Sequence, residues 1–240
     1  MFTADLHVHT CLSPCAELSM SPSAIADRAR ELNIDILGIC DHNSAENIPA
    51  VIQAANRYRI QVLAGMEVCT AEEIHILALF DNVEDAMLLQ TIIYNHLPGT
   101  NDENTFGMQV VVNEEGEVLR FNDRLLIGAS TLSVEEVVRA IHDLNGLAIA
   151  SHIDRASYSL ISQLGFVPDN LNLDALEISA AMDPADAEAQ FPLSYPIIQS
   201  SDAHFPGDIG RVTTRFYIKE GTTTEIKNAF IQKEGRTIIH

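Results

Sequence analysis

The apolar positions of the chain fall into short runs, and each run stops at a cluster of polar residues. In the stretch Thr3 to Glu17, TADLHVHTCLSPCAE, Leu6 and Val8 alternate with His7 and His9, the period of a half-buried strand. Residues two apart on a strand share a face, so both imidazoles project together. Ser13-Pro14 is a turn signal, which puts the pair near the C-terminal end of a first strand. Met20-Ser21-Pro22-Ser23 then opens a helix, with a serine cap and proline in the first turn, and Ile25, Ala29 and Leu32 recur at helical spacing. Ile34 to Cys40, IDILGIC, is an apolar run of the kind found in buried parallel strands, and it ends in Asp41-His42-Asn43. Next come a helix from about Ala45 to Tyr58, a strand from Gln61 to Met66 ending in Glu67, a fourth strand from Ile74 to Phe80 with His75 near its start, and a helix from Asp81 to Asn95.

The rhythm breaks between His96 and Ala129. NHLPGTNDENTFG is polar and loop-like, and QVVVNEEGEVLRF reads as a β-hairpin turning at Glu115-Gly116. The stretch, about 96–130, is too short to hold a core of its own and is expected to be an insertion in a single domain spanning 1–240. Alternation then resumes: a helix from Ser133 to Asn145, capped by Thr131 or Ser133 and ended by Gly146; a strand from Leu147 to Ser151 running into His152; helical turns from Ser157 to Leu164; a strand from Leu173 to Ser179 around Glu177; a short helix from Pro184 to Ala189; a last barrel strand from Ile197 to Ser200 ending in Asp202-Ala203-His204; and a final helix from Thr222 to Glu234. About seven strand–helix units imply an α/β barrel or an open doubly wound sheet. Only in a barrel do all the strand ends converge, at the C-terminal face where such folds carry their functional groups.

Composition narrows the classes. A 240-residue chain that is 47% hydrophobic has ample material for a core. Its net charge of −20, from 34 acidic and 14 basic side chains, suits a site that concentrates divalent cations. The same balance leads to the expectation of no nucleic-acid partner and no membrane surface, both of which favour a basic face. The four cysteines, Cys11, Cys15, Cys40 and Cys69, form no CxxC pair and read as reduced thiols of a cytoplasmic protein. No N-terminal signal pattern and no apolar run of membrane-spanning length is present.

The candidate chemistry lies at the strand ends and just past them: His7 and His9, Asp41 and His42, Glu67, His75, His152, and Asp202 with His204, with Glu17 in the first loop. These include six of the nine histidines. Imidazole and carboxylate without thiolate suit zinc, manganese or iron(II) in a hydrolytic site. The candidates are too many for one ion, so two or three divalent ions sharing carboxylates are expected, with Glu67 able to bridge. A small structural zinc site from His7, His9, Cys11 and Cys15 is a rival, but it leaves the later clusters unexplained.

The motifs DLHVHT, GICDHNS, GMEV, HILAL, ASHIDR and SSDAHFPGDIG, spread over nearly the whole chain, resemble the PHP (polymerase and histidinol phosphatase) family of metal-dependent phosphoesterases. The resemblance implies a distorted (β/α)7 barrel with a trinuclear metal centre. It implies that His7, His9, Glu67 and Asp202 hold a first metal, that Glu67 bridges to a second with His75 and His152, and that Glu17, His42 and His204 hold a third. Two features depart from the family's pattern. Cys40 stands where threonine usually precedes Asp41-His42, and is expected to be a packing substitution. Cys15 and Glu17 are both within reach of the third metal, and the harder carboxylate is preferred.

The implied reaction is hydrolysis of a phosphate ester by metal-activated hydroxide. His204 or Asp41 could assist the leaving oxygen, and Asp41 could equally orient a histidine. Arg155, three residues past His152, is placed to bind phosphate, and Arg211 is a weaker candidate for the same task. Glu177 faces either the barrel mouth or a buried partner. His142, His96 and the terminal His240 read as structural or surface residues. The family suggests a small phosphorylated substrate, a nucleotide or a histidinol phosphate-like metabolite. A PHP-type 3'-5' exonuclease and a non-catalytic metal-binding regulatory domain are the alternatives, and the amidohydrolase chemistry of other metal barrels fits the motif spacing less well.

Overall fold

The computed structural model describes every residue except 169, 192–194 and 240, so His240 lies outside the described residues. The first half of the chain runs β1 (Phe2–Val8), α1 (Pro22–Glu31), β2 (Ile36–Ile39), α2 (Ile48–Asn56), β3 (Gln61–Cys69), β4 (His75–Phe80), α3 (Val83–Asn95), α4 (Glu103–Phe106), β5 (Val110–Val112) and β6 (Val118–Phe121). The second half runs α5 (Val134–Asp143), β7 (Leu147–Ala150), α6 (Leu160–Leu164), β8 (Ala175–Ile178), α7 (Pro184–Gln190), β9 (Ile197–Gln199), β10 (Thr214–Tyr217), α8 (Thr223–Phe230) and β11 (Thr237–Ile239).

Nine strands form one sheet in the order β11-β10-β1-β2-β3-β4-β7-β8-β9, curled into a half-barrel with helices packed against it. The α/β barrel-type class expected from the alternation is the one observed. The strands are not all parallel, however. β4 runs antiparallel to both β3 and β7. Only residues 70–74 separate β3 from β4, enough for a tight reversal and too few for the crossover that a parallel pair needs. This reversal brings the start of β4, and His75 with it, to the same rim as the ends of the parallel strands. β10 and β11 extend the sheet beyond β1 as an antiparallel pair that the sequence pattern did not reveal. At the open side, the loop after β9 docks on β1: His9 N donates to the Ala203 carbonyl at 3.0 Å and Ala203 N donates to His7 O at 3.3 Å.

Two apolar layers hold the curl. The inner one includes Leu6, Ile36, Leu63, Leu77, Ile149 and Ile198, and Ile226, Ala229 and Phe230 of α8 join it. The outer one packs the remaining helices against the sheet. β1 changes register between Asp5 and Val8, so Leu6 belongs to the inner layer while Val8 belongs to the outer. That bulge sets which way the next side chains point. Gly38 on β2 lies so close to β1 that a Cβ there would sit 2.3 Å from the Leu6 carbonyl oxygen. Helix ends obey the expected chemistry. Ser133 and Glu136 form a capping box on α5. The left-handed residue after that helix is Asn145 (φ 59°) and not Gly146.

The insertion forms an antiparallel β5–β6 hairpin, with β5 buried and β6 exposed. Asn47 fixes its inner strand by donating to the Val110 carbonyl and accepting from Val112 N. Asn43, in the loop beside His42, donates to the carbonyls of Leu126 and Gly128, so the return of the insertion is tied to the rim. Among the described residues no helix is long and apolar enough to cross a membrane.

Candidate metal centre

Strand ends deliver imidazole and carboxylate side chains from separate parts of the chain to one cup. His7 and His9 come from β1 and its end, His42 from the loop after β2, Glu67 from β3 and His75 from the start of β4. His152 arrives after β7, and Asp202 with His204 after β9. His42, Glu67, His75, His152, Asp202 and His204 line a cavity of about 190 Å³, and the fully buried His7 and His9 lie against Glu67 and Asp202. Cys15, Ile127, Arg155 and Tyr158 complete the wall. A larger cavity of about 450 Å³ lies between α8 and β11, away from this cluster.

The hydrogen bonds behind the cup fix the state of its two deepest rings. His7 Nδ1 lies 3.0 Å from a Glu177 carboxylate oxygen, which can only accept, so Nδ1 carries the hydrogen. His9 Nδ1 lies 2.9 Å from Ser13 Oγ, and the Ser13 hydroxyl donates its own hydrogen to Asp41 at 2.6 Å. Ser13 therefore accepts from His9. In their neutral forms both rings then present bare Nε2 lone pairs to each other at 3.1 Å. Asp202 Oδ1 lies 3.3 and 3.1 Å from these two nitrogens, and Glu67 oxygens lie 3.5 Å from each. With both rings neutral, four acceptors facing one point are mutually repulsive unless a proton or a metal cation sits among them.

Glu67 is the hub. Its Oε1 is 2.8 Å from His75 Nδ1 and 3.1 Å from His152 Nε2, and its Oε2 is 3.1 Å from His42 Nδ1. Burial works against its charge, but His75, His7 and His42 overcome that and hold its carboxyl well below the usual range. Burial likewise opposes charge on His7 and His42. The facing carboxylates, Glu177 first for His7 and Glu67 first for His42, nonetheless raise both well above an ordinary histidine. His9 and His75 go the other way, because burial dominates. Asp202 also lies below its usual range, since His7 outweighs its burial. The buried His152 Nδ1 has no hydrogen-bond partner. Asp202 and His152 both hold left-handed backbone (φ 48° and 29°), the kind of local strain that packing maintains at functional sites.

Several sequence expectations are corrected here. Glu17 does not reach the cup: its side chain is exposed and accepts from the Ser19 hydroxyl. Cys15, and not Glu17, is the first-loop residue that lines the cup, together with His42 and His204. Asp41 is not a group facing substrate, because its oxygens are taken by Thr10 N, the Thr10 hydroxyl and the Ser13 hydroxyl. It orients His9 through Ser13, a residue whose role the sequence did not signal. Arg211 is an exposed side chain 3.6 Å from Asp208 and is absent from the cup wall. Arg155 does stand at the rim, with Nη2 2.6 Å from Asp202 Oδ2. Cys11 lies in a small cluster with Val110 and Val112, which removes the rival zinc site, and Cys40 is buried in the inner layer with its thiol toward the Leu6 carbonyl. His142 pairs with Asp174 at 2.9 Å, and His96 meets the Thr131 hydroxyl.

A cluster of imidazole and carboxylate groups at the rim of a curled α/β sheet is suited to binding divalent metal. The chain belongs to the PHP domain family, whose model matches residues 5–159, and a PHP-associated model matches residues 192–233. Over 93 residues the chain is 33% identical to the 5'-3' exoribonuclease of Haemophilus influenzae, a match covering 36% of this chain and 33% of that protein. The structure resembles the lesion-specific endonuclease Q of Pyrococcus furiosus with TM-score 0.72 and 20% identity, covering 99% of this chain and 57% of that one. It is equally similar (TM-score 0.72, 19% identity, 98% of this chain and 58% of the other) to an endonuclease Q complex with a 27-mer duplex carrying an abasic lesion. The chain thus spans about a third or less of the curated relatives it matches, 28% and 33%, and little more than half of these nucleases.

These neighbours overturn the expectation that nucleic acid is excluded. The error was to read affinity from net charge. In a metal site the bound cations are the largest local charges, and they can neutralise a phosphate on an otherwise acidic protein. The residues present fit divalent metal: bare ring nitrogens opposed to carboxylates, an orphaned buried His152 nitrogen, and a donor set of imidazole and carboxylate.

Proposed function

We propose that the protein is a metal-dependent phosphoesterase that hydrolyses a phosphate ester at the end of a nucleic-acid strand or on a nucleotide. The observation that carries the reading is the quartet of acceptors formed by His7, His9, Glu67 and Asp202 at the floor of an open cup. Divalent ions there, zinc, manganese or iron, would polarise phosphoryl oxygens and generate a nucleophile from water at neutral pH. In this reading His7, His9, Glu67 and Asp202 hold one ion, and Glu67 with His75 and His152 holds a second. Ser13, Asp41 and Glu177 keep the ring hydrogens turned away from them.

The rest of the wall supports a terminal substrate. A cavity of about 190 Å³ has room for a phosphate and part of one nucleotide. Arg155, 41% exposed and anchored by Asp202, keeps further N–H groups free for a phosphate. The half-exposed Tyr158 ring, stacked on His75 at 4.8 Å, offers a flat face to a base. His204, beside Asp202 at the mouth, is placed to steady the leaving oxygen.

The test is a phosphate- and nucleotide-release screen of metal-loaded protein, using end-labelled single-stranded DNA and RNA beside nucleoside monophosphates and base-free sugar phosphates. Release of single nucleotides from strand ends, abolished by chelator and restored by metal, is the expected result. Turnover that survives chelation, or none on any phosphate ester, sinks the reading.

A further inference from the structure

We infer, resting on the phosphoesterase reading above, that Ile127 and Tyr158 form a subsite for a nucleobase, and that this subsite holds any base in preference to a base-free ester. The insertion, which carries Ile127, thereby helps to select the substrate. The wall of the cup supplies the first reason. Apart from Cys15, its members are imidazoles, carboxylates and Arg155, and the two that remain are Ile127 and Tyr158. Arg155 is drawn to Asp202 at 2.6 Å. No side-chain amide or aliphatic hydroxyl is among the lining residues. The wall therefore offers a base a flat ring and an apolar surface, and no amide to read its edge.

Backbone contacts hold both side chains in place. Ile127 sits in a turn closed by Gly128 N, which donates to the Leu125 carbonyl at 2.9 Å. Asn43 Nδ2 donates to the carbonyls on either side of Ile127, those of Leu126 and Gly128, both at 2.8 Å. Asn43 N donates in turn to the Glu67 carbonyl at 2.9 Å, so the turn is fixed to the strand that carries the hub of the metal centre. Leu126 is buried against Leu12, Leu97 and Val111, whereas Ile127 is only partly buried and joins none of the apolar clusters of the described residues. Tyr158 accepts from His75 N at its carbonyl at 3.0 Å, and its ring stacks on His75 with centroids 4.8 Å apart. The stack covers one face and still leaves the residue 42% exposed. Its backbone is left-handed (φ 55°), a conformation that costs energy for a bulky side chain and that asparagine adopts more readily. Such strain, held at the wall of a site, points to a use for the ring.

The experiment titrates zinc-loaded, full-length wild type, Y158N and I127A with phosphonates, which resist hydrolysis, and reads affinity by calorimetry. The probes are the phosphonate analogues of the four ribonucleoside 5′-phosphates and of ribose 5-phosphate. Wild type is expected to bind the four nucleoside analogues with similar affinity and the ribose analogue roughly 5- to 150-fold more weakly, the range for one base–aromatic stack. Y158N is expected to lose that difference while the Tm of the metal-free protein stays level or rises, and I127A to lose part of it. The chain has no tryptophan, so Y158W adds a sole emitter that keeps a flat ring. Its emission is expected to be quenched by the nucleoside analogues and not by the ribose analogue, which decides the matter should Y158N fail to fold. A ribose analogue that binds wild type as tightly as the nucleosides overturns the base subsite alone, as does a Y158N variant that weakens all five alike. A preference for one base beyond about tenfold overturns its tolerance of any base. Failure of all five to bind wild type overturns the phosphoesterase reading as well.

Discussion

Glu177 on β8 accepts the Nδ1 hydrogen of His7 on β1 at 3.0 Å, joining two residues 170 positions apart. The same carboxylate accepts from the backbone of His152 at 3.2 Å, so one buried acid orients residues on both sides of Glu67. Glu177→Gln places an amide where the carboxylate was and lets the His7 ring flip or present the wrong nitrogen. Loss of such an orienting carboxylate costs roughly 10- to 100-fold in metal affinity. The expected outcome is that loss in competition titrations with a chromophoric chelator, with the circular dichroism spectrum unchanged. Full affinity in the variant would show that the ring is held by other means.

The raised His7 and His42 give metal binding a definite pH dependence. In the metal-free protein these rings hold protons above the usual histidine range, because buried carboxylates outweigh desolvation. Their folded values exceed the unfolded ones, so their protonation stabilises the metal-free fold below the unfolded value. That contribution is lost as pH rises through the raised value. A cation needs the neutral rings, so it displaces those protons and binds more tightly at higher pH. The difference in Tm between loaded and metal-free protein should therefore grow as pH rises through and above the usual histidine range. Metal added to weakly buffered protein should lower the pH. A Tm difference independent of pH contradicts the assignment of these rings.

Much of this centre could be read from sequence because each strand ends in its own ligand, and a barrel rim is where such ends meet. His7, His9, His42, Glu67, His75, His152, Asp202 and His204 all reach the cup for that reason. The choices that stayed open in the sequence were those made by backbone turns. Cys15 and Glu17 are two residues apart, and only the clamp between Glu17 N and the His204 carbonyl determines which faces inward. Asp41 stays between assisting the leaving oxygen and orienting a histidine until its three donors are seen, and they favour the orienting role. The antiparallel course of β4 was implicit in its five-residue connection, whereas β10 and β11 are short edge strands without a strong pattern. Net charge could not exclude nucleic acid, because it averages over the whole surface and says nothing of the charge within the cup.

Arg155 and Arg211 make a matched pair of controls. Arg155 stands in the cup wall, and Arg211 lies in the loop after β9 with Asp208. A hydrogen bond to a charged group is worth about 1.5–3 kcal/mol, so Arg155→Ala should raise KM roughly 10- to 100-fold. Arg211→Ala should leave both KM and kcat unaltered. Steady-state kinetics on whichever phosphate ester the screen selects provides the comparison. Equal effects from the two substitutions would remove Arg155 from the substrate site.

Gly38 tests whether the floor of the centre depends on the spacing of β1 and β2. A Cβ at this position meets the Leu6 carbonyl oxygen at 2.3 Å and its Cα at 2.8 Å. These are backbone atoms, so no side-chain rotation relieves the overlap, and β1 must move away from β2. Overpacking of a core costs about 1–3 kcal/mol, and a clash with backbone belongs at the upper end. Leu6 is followed directly by His7, so the displacement carries the ligand ring with it. Gly38→Ala should lower the urea midpoint of the metal-free protein and also weaken metal binding in the fraction that folds. If the midpoint falls but metal affinity is retained, the ligand geometry is set by the loop contacts of Ala203 and Ser13 and not by the packing of the two strands.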